Sequence, residues 1–182
     1  MNNSEGMAVL AGLGIFFAIF LGFMLLITVV MLVIYFIALW KLFVKAGEDG
    51  WKAIIPIYNT LVMSKIATGN FKLGAASLIV SAVYLFFMSI GNTLNMIATS
   101  GNDSSLAVLS IISLPMSLLA IVCAIGMAVI GGYFHYVFTE SYGKETVWCV
   151  LSIFFFPIIM LILAFDKNTH YAGPKNHIKW LE

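Results

Sequence analysis

Few side chains in this sequence are suited to chemistry, and their spacing does not assemble them into a catalytic set. His135 and Glu140 stand five apart, which does not place them on one face of a helix. Flanked by Tyr133 and Tyr136, His135 reads as an interfacial polar residue rather than a ligand. His170 and His177, seven apart, would share a face if the tail were helical, but two histidines without a further ligand make no zinc set of ordinary spacing. No metal and no cofactor are expected. Serines are plentiful (Ser77, Ser81, Ser89, Ser110, Ser113, Ser117), yet no G-x-S-x-G motif and no lysine or acid at matching depth accompanies them. Their hydroxyls are expected to bond their own helix backbones, and no enzyme is expected. Cys123 and Cys149 lie in apolar runs, where a thiol behaves as a small hydrophobe. Asn92 and Asn95 are read as the outer cap of a helix, with pairing to a serine across a bundle or the lining of a wet cavity as the alternatives.

The composition explains this scarcity. Of the 182 residues 62% are hydrophobic and only 9% charged, against roughly a quarter charged in a soluble domain. All nine basic residues are lysines, and the formal net charge is +1. Without arginine's bidentate fork or a basic field, no nucleic-acid partner is expected. The charges bound four uncharged stretches: 35 residues between Glu5 and Lys41, 30 between Lys72 and Asp103, 36 between Asp103 and Glu140, and 20 between Glu145 and Asp166. About 20 apolar helical residues cross the hydrocarbon core of a bilayer. The pattern therefore predicts an all-α integral membrane bundle, a single domain over 1–182, with four hydrophobic helices at about 7–44, 73–98, 106–138 and 147–165 and a tail at 166–182. The first run has no proline, so one long helix that tilts or projects is expected rather than a hairpin. Residues 1–6 carry no lysine and the apolar stretch is too long for a cleaved signal, so this helix is read as a span.

Lys41, Lys45, Lys52, Lys65 and Lys72 put residues 41–72 in the cytoplasm and the N-terminus outside, by the positive-inside rule. The loop Thr99 to Ser105, free of lysine, fits the outside. Two paths remain for the last segment. Four full spans leave Lys167, Lys175 and Lys179 outside against six lysines inside. A re-entrant element turning back at Pro157 puts all nine on one side. Pro115 and Pro157 otherwise serve as kinks.

Between the first two runs, an interfacial segment at about 50–68 joins turn residues to a short apolar run broken by Pro56. Gly47 and Gly50 fit a helix C-cap and turn, while Trp51 and Tyr58 are amphipathic aromatics of headgroup depth. Asn59 is a candidate N-cap for a helix over Thr60 to Thr68, Lys65 snorkels toward water, and Gly69-Asn70 ends that helix. Gly50, Trp51, Lys52, Pro56, Tyr58 and Asn59 form the candidate corner for lipid headgroups or a partner. Gly14, Ala18 and Gly22, and likewise Ala120, Ala124, Ala128 and Gly132, recur every four residues, which lets helix backbones approach closely within the chain or between copies.

The string Gly50-Trp51-Lys52-Ala53-Ile54-Ile55-Pro56-Ile57-Tyr58-Asn59 resembles the G-W-x-A-I-I-P-x-Y-N motif of a family of small bacterial multi-pass membrane proteins. Gly143-Lys144 matches that family's glycine-lysine pair after a later helix. Phe154 to Pro157 matches its proline-containing, phenylalanine-rich helix, and Tyr171, Gly173 and Pro174 match its aromatic-glycine-proline tail. The likeness runs from about residue 40 to 174. A related segment precedes the catalytic region of some signal peptidase I proteins, which implies a place near protein export, although these 182 residues hold no peptidase region. The family carries no activity to transfer.

Together these readings lead to a bacterial inner-membrane protein that acts as a non-catalytic accessory or assembly subunit. Its partners are the lipid bilayer and a membrane protein or further copies of itself. The alternative is a homo-oligomeric, holin-like pore, which would need several protomers because so few polar residues line the helices.

Overall fold

The computed structural model describes residues 3–100 and 107–175, and no strand occurs among them. Asp103 and its neighbours, His177 and Lys179 lie outside the described residues. The helices are α1 (Asn3–Lys45), α2 (Pro56–Thr68), α3 (Lys72–Ser100), α4 (Ala107–Glu140) and α5 (Thr146–Phe165), with one 3-10 turn at Gly50–Ala53. The all-α bundle with four long apolar helices is the architecture that the charge-free runs imply, and α1, α3, α4 and α5 are each long and apolar enough to cross a membrane.

Helix α1 has 43 residues, about 64 Å at 1.5 Å each, twice the roughly 30 Å hydrocarbon core. Every residue from Leu10 to Val33 is exposed, whereas Ala38, Leu39, Leu42 and Phe43 are fully buried. The helix therefore joins the bundle only through its last third. It ends in a Schellman turn: Gly47 takes φ +80, Glu48 N–H donates to Phe43 O at 2.9 Å and Gly47 N–H to Val44 O at 3.1 Å. Glycine serves at that left-handed position because it lacks the Cβ that would clash.

Helix α2 begins at Pro56, whose missing N–H costs nothing in the first turn, where no helical acceptor exists for it. This corrects the expected start: Asn59 is not an N-cap but lies inside the first turn, buried, with Nδ2 donating to Ala53 O at 3.1 Å. Its helix crosses the start of α3 closely. A Cβ on Gly74 would lie 2.8 Å from Thr60 O and 2.9 Å from Ser64 Cβ, so only glycine fits there.

Helices α3 and α4 form a long antiparallel pair, with α5 packed against α4 and α1. Helix α4 continues through Pro115. Asn95 is not a helix cap either, because α3 runs on to Ser100 and Ser113 Oγ of α4 donates to Asn95 Oδ1 at 2.6 Å.

The decisive departure from simple spanning is α5. Its backbone leaves helical geometry at Phe155 (φ −121, ψ 36), two residues before Pro157. Proline at 157 donates no bond to Ile153 O and its ring crowds that carbonyl. Lys144, just before α5, pairs with Asp166, just after it, at 2.9 Å. Tyr142 Oη donates to Leu42 O at 2.8 Å, and Lys45 Nζ donates to Leu163 O at 2.7 Å. Both ends of α5 thus sit at the level of the α1 terminus. A straight helix of 20 residues would hold its ends about 30 Å apart, beyond what these side chains bridge. Helix α5 is a hairpin: two arms, Thr146 to Phe155 and Phe156 to Phe165, each about 15 Å long, meet at a tip and bring their far ends together. Of the two paths open in the sequence, the chain reversal near Pro157 is the one this geometry favours.

The core follows from this. Leu39, Leu42 and Phe43 of α1, Val137 and Phe138 of α4, and Met160 and Leu163 of α5 are buried together at the lysine-bearing end. Gly14, Ala18 and Gly22, expected to pack helices, are exposed, and a Cβ on Gly14 or Gly22 would meet nothing within 4 Å. In the α4 stripe Ala120 is buried and a Cβ on Gly132 would approach Ile153 at 3.2 Å, while Ala128 is exposed.

These contrasts give a direct test. Gly74→Ala should destabilise the detergent-solubilised protein by about 1–3 kcal/mol, the usual cost of overpacking, whereas Gly14→Ala should not lower its thermal midpoint. Equal midpoints for the two variants would refute the α2–α3 crossing.

Candidate functional site

Two places gather functional side chains, a clasp at the lysine-bearing end and a polar cavity beside the tip of α5. The clasp centres on Asp166. Its carboxylate accepts from Thr169 Oγ1 at 2.6 Å, from Lys144 Nζ at 2.9 Å and from Asn168 N–H at 2.9 Å. The Thr169 hydroxyl first, then Lys144 and the Asn168 amide, hold this carboxyl far below the ordinary carboxylate range. Lys45 Nζ donates to the carbonyls of Leu163 and Asp166 at 2.7 and 2.8 Å, closing the C-terminus of α5. The tail then crosses the ends of the other helices: Tyr171 Oη donates to Ile66 O, Ala172 N–H to Ser141 O and Lys175 N–H to Ala67 O, each at 2.7 Å. Burial pushes the Tyr142 and Tyr171 hydroxyls up, so both remain donors at physiological pH.

Around the expected corner, Trp51 stacks on Tyr58 with ring centroids 6.3 Å apart, and both remain exposed. Gly50 is buried beneath Trp40, where a Cβ would come within 2.3 Å of the indole nitrogen. Lys52 reaches Glu48 at 2.7 Å and Asp49 at 3.1 Å, and Lys65 reaches Glu48 at 2.6 Å. Hydrogen bonds from Lys52 and Lys65 draw the Glu48 carboxyl below its ordinary value, and the same carboxylates raise Lys52. Lys52 is thus committed within the chain rather than extended toward headgroups. Pro56 is exposed at the start of α2, and Asn59 faces inward. The structure keeps Trp51 and Tyr58 together on the outside and separates them from Gly50 and Asn59.

Asn59 belongs instead to a cavity of about 310 Å³ to which all five helices contribute. Its polar lining is Tyr35, Asn59, Thr60, Ser77, Ser81 and His135, and Phe134 and Phe156 close the apolar side. Ser77 Oγ donates to Gly74 O at 2.8 Å and Ser81 Oγ to Ser77 O at 2.7 Å, the backbone bonds expected of helical serines. Thr60 Oγ1 donates to Asn59 Oδ1 at 3.2 Å. The hydroxyls keep acceptor capacity toward the cavity. His135 lies flat on Phe156, centroids 3.9 Å apart and planes 8° apart, and its Nδ1 meets no partner among the described residues. Its backbone carbonyl accepts from Ser152 Oγ at 3.1 Å, which ties the first arm of α5 to α4. Glu140 does not line the cavity. A second, almost wholly apolar cavity of about 350 Å³ lies between α1 and the second arm of α5, and it shares Tyr35 with the first.

Sequence reading names Asn59, Ser77, Ser81, His135 and Lys45 singly without bringing them together, and it misses Tyr35 of the cavity and the role of Asp166 in the clasp. Lys45 and Asp166 carried a signal, since each sits at the edge of an apolar run where a charge must find water or a partner. Ser77 and Ser81, four apart in an apolar helix, mark one polar face, but only the fold shows Asn59, Tyr35 and His135 opposite them. Among the described residues no group of three His, Cys, Asp or Glu is arranged to hold a metal ion, and Cys123 and Cys149 are free thiols. His170 is exposed, and His177 lies outside the described residues.

Comparison of the chain with protein families, with curated proteins and with solved structures yields no match.

The clasp makes a pH prediction. A carboxyl whose value is depressed by folding contributes stability that is present above its unfolded value, about 4, and is lost as pH falls through the folded value. The thermal midpoint should therefore drop as pH falls below about 4, and Asp166→Asn should flatten that drop while lowering the midpoint at pH 7. A pH 7 midpoint unaltered by Asp166→Asn would refute the clasp.

Proposed function

We propose that this chain is a non-catalytic integral membrane subunit of a bacterial inner membrane, with its lysine-bearing end in the cytoplasm and the start of α1 outside. In this reading it binds a second membrane protein through the exposed part of α1. The placement of lysines supports the orientation: Lys41, Lys45, Lys52, Lys65, Lys72, Lys144, Lys167 and Lys175 all stand at the end where α5 begins and finishes. The likeness of Gly50 to Asn59 to a bacterial membrane family supports the setting and a place near protein export.

The observation that carries the reading is the unoccupied small-residue stripe on α1. Lipid solvates an apolar helix as well as protein does, so exposure from Leu10 to Val33 does not by itself ask for a partner. The open face of Gly14, Ala18 and Gly22 is different, because small residues permit the close backbone approach that drives helix association in lipid. The stacked Trp51 and Tyr58 then anchor the same protein at headgroup depth, beside the partner's cytoplasmic side.

A photoreactive amino acid at position 18, introduced in the cells that make the protein, tests this. The expected product is a crosslink to one second membrane polypeptide, lost when Gly14 and Gly22 are both changed to leucine. Crosslinks between copies of the chain alone would replace this reading with the homo-oligomeric pore, to be followed by conductance in bilayers.

A further inference from the structure

Two pockets flank the tip of α5 and share Tyr35 in their walls. Phe156 closes the polar cavity and the next residue, Pro157, lines the apolar one, while Tyr35 of α1 borders both. The polar chamber, at about 310 Å³, equals the liquid volume of about ten waters. It presents hydroxyls, an amide and an imidazole, but no lysine, aspartate or glutamate. A charged group transferred there would lose its hydration without a countercharge, which membrane interiors penalise heavily. A neutral hydroxyl group would lose little, because Ser77, Ser81 and Thr60 retain acceptor capacity and Asn59 and His135 lie across from them. The adjoining chamber, about 350 Å³ and walled by residues such as Met31, Pro157, Met160 and Leu161, offers aliphatic surface to a chain attached to that group.

We propose that this pair of chambers binds a single-chain lipid with an uncharged, hydroxyl-bearing head, the head beside Ser81 and His135 and the chain between α1 and the second arm of α5. The fit is to chemistry of both kinds at once: neutral polar walls for the head, apolar walls for the tail, and one tyrosine at the boundary. The site owes its existence to the re-entrant turn. A helix that continued straight would have no tip for His135 to stack upon, and the apolar groove, open on its α1 side, would lose its wall of Pro157, Met160 and Leu161.

The test uses the full chain in nanodiscs and a monoacylglycerol carrying a diazirine in its acyl chain. Labelling should saturate, map by mass spectrometry to residues 27–35 of α1 and 157–161 of α5, and be displaced by unlabelled monoacylglycerol roughly tenfold more effectively than by the anionic fatty acid of equal length. Ser81→Leu, which fills the polar chamber, should reduce labelling roughly tenfold, while Leu85→Ala on the outer surface of α3 should leave it unchanged. Unsaturable labelling spread along exposed α1 would show bulk lipid only and overturn the site. Equal displacement by the fatty acid would overturn the neutral-head assignment. Because displacement is measured on the unaltered protein, the proposal stays testable if Ser81→Leu fails to fold.

Discussion

A helix that enters a membrane and turns back must satisfy its broken backbone and hold its two ends together, and in this protein Lys45, Lys144 and Asp166 carry that constraint. Lys45 supplies donors to the carbonyls of Leu163 and Asp166, groups that would otherwise be left without partners at the membrane boundary. Lys144 reaches across from the first end of α5 to the second. Attraction between these charges matters less than position, since a partly exposed ion pair adds little to stability. The carbonyls at the end of α5 have no further helical donor, and Lys45 supplies it.

The rest of the bundle is arranged around the hairpin so closed. Helix α1 meets the protein chiefly through α5 and the 3-10 turn, so its attachment depends on the hairpin rather than on α3 or α4. The tip of α5 places Phe156 against His135 and Phe138 of α4, and Ser152 fixes the approach by bonding the His135 carbonyl. Beyond the tip of the short arms only α1 and the α3–α4 pair continue. That is why residues from Leu10 to Val33 stay uncovered while the lysine-bearing end is packed. The polar cavity belongs to the same geometry, because all five helices contribute to its wall beside the tip.

Much of this fold can be read in the sequence. The uncharged runs imply four long apolar helices because a charge within hydrocarbon is too costly to place casually. Gly47 and Gly69 mark real helix ends, each with positive φ. Less legible were features set by neighbours distant in sequence. Proline at 157 permits both a kink and a reversal, and the reversal shows only in contacts between the two ends of α5, such as Lys144 with Asp166, 22 residues apart. Asn59 looked like a cap because its residue type favours one, but Pro56 claims the helix start and turns the amide inward. The small residues of α1 and α4 look alike in sequence, yet α4 meets a partner at Gly132 and α1 meets none within the chain at Gly14 or Gly22. The cavity residues are scattered over five helices, so no local pattern announces them.

The central claim is that α5 enters and leaves on the same side of the membrane. Single cysteines at Asp49 and Asn168, in a background with Cys123 and Cys149 changed to alanine, place one thiol after α1 and one after α5. A membrane-impermeant maleimide applied to sealed vesicles of known orientation reads the side of each. The account predicts that both react in the same orientation and both are protected in the inverted one. Labelling of the two positions from opposite sides would make α5 a full crossing and contradict the clasp, the tip and the cavity together.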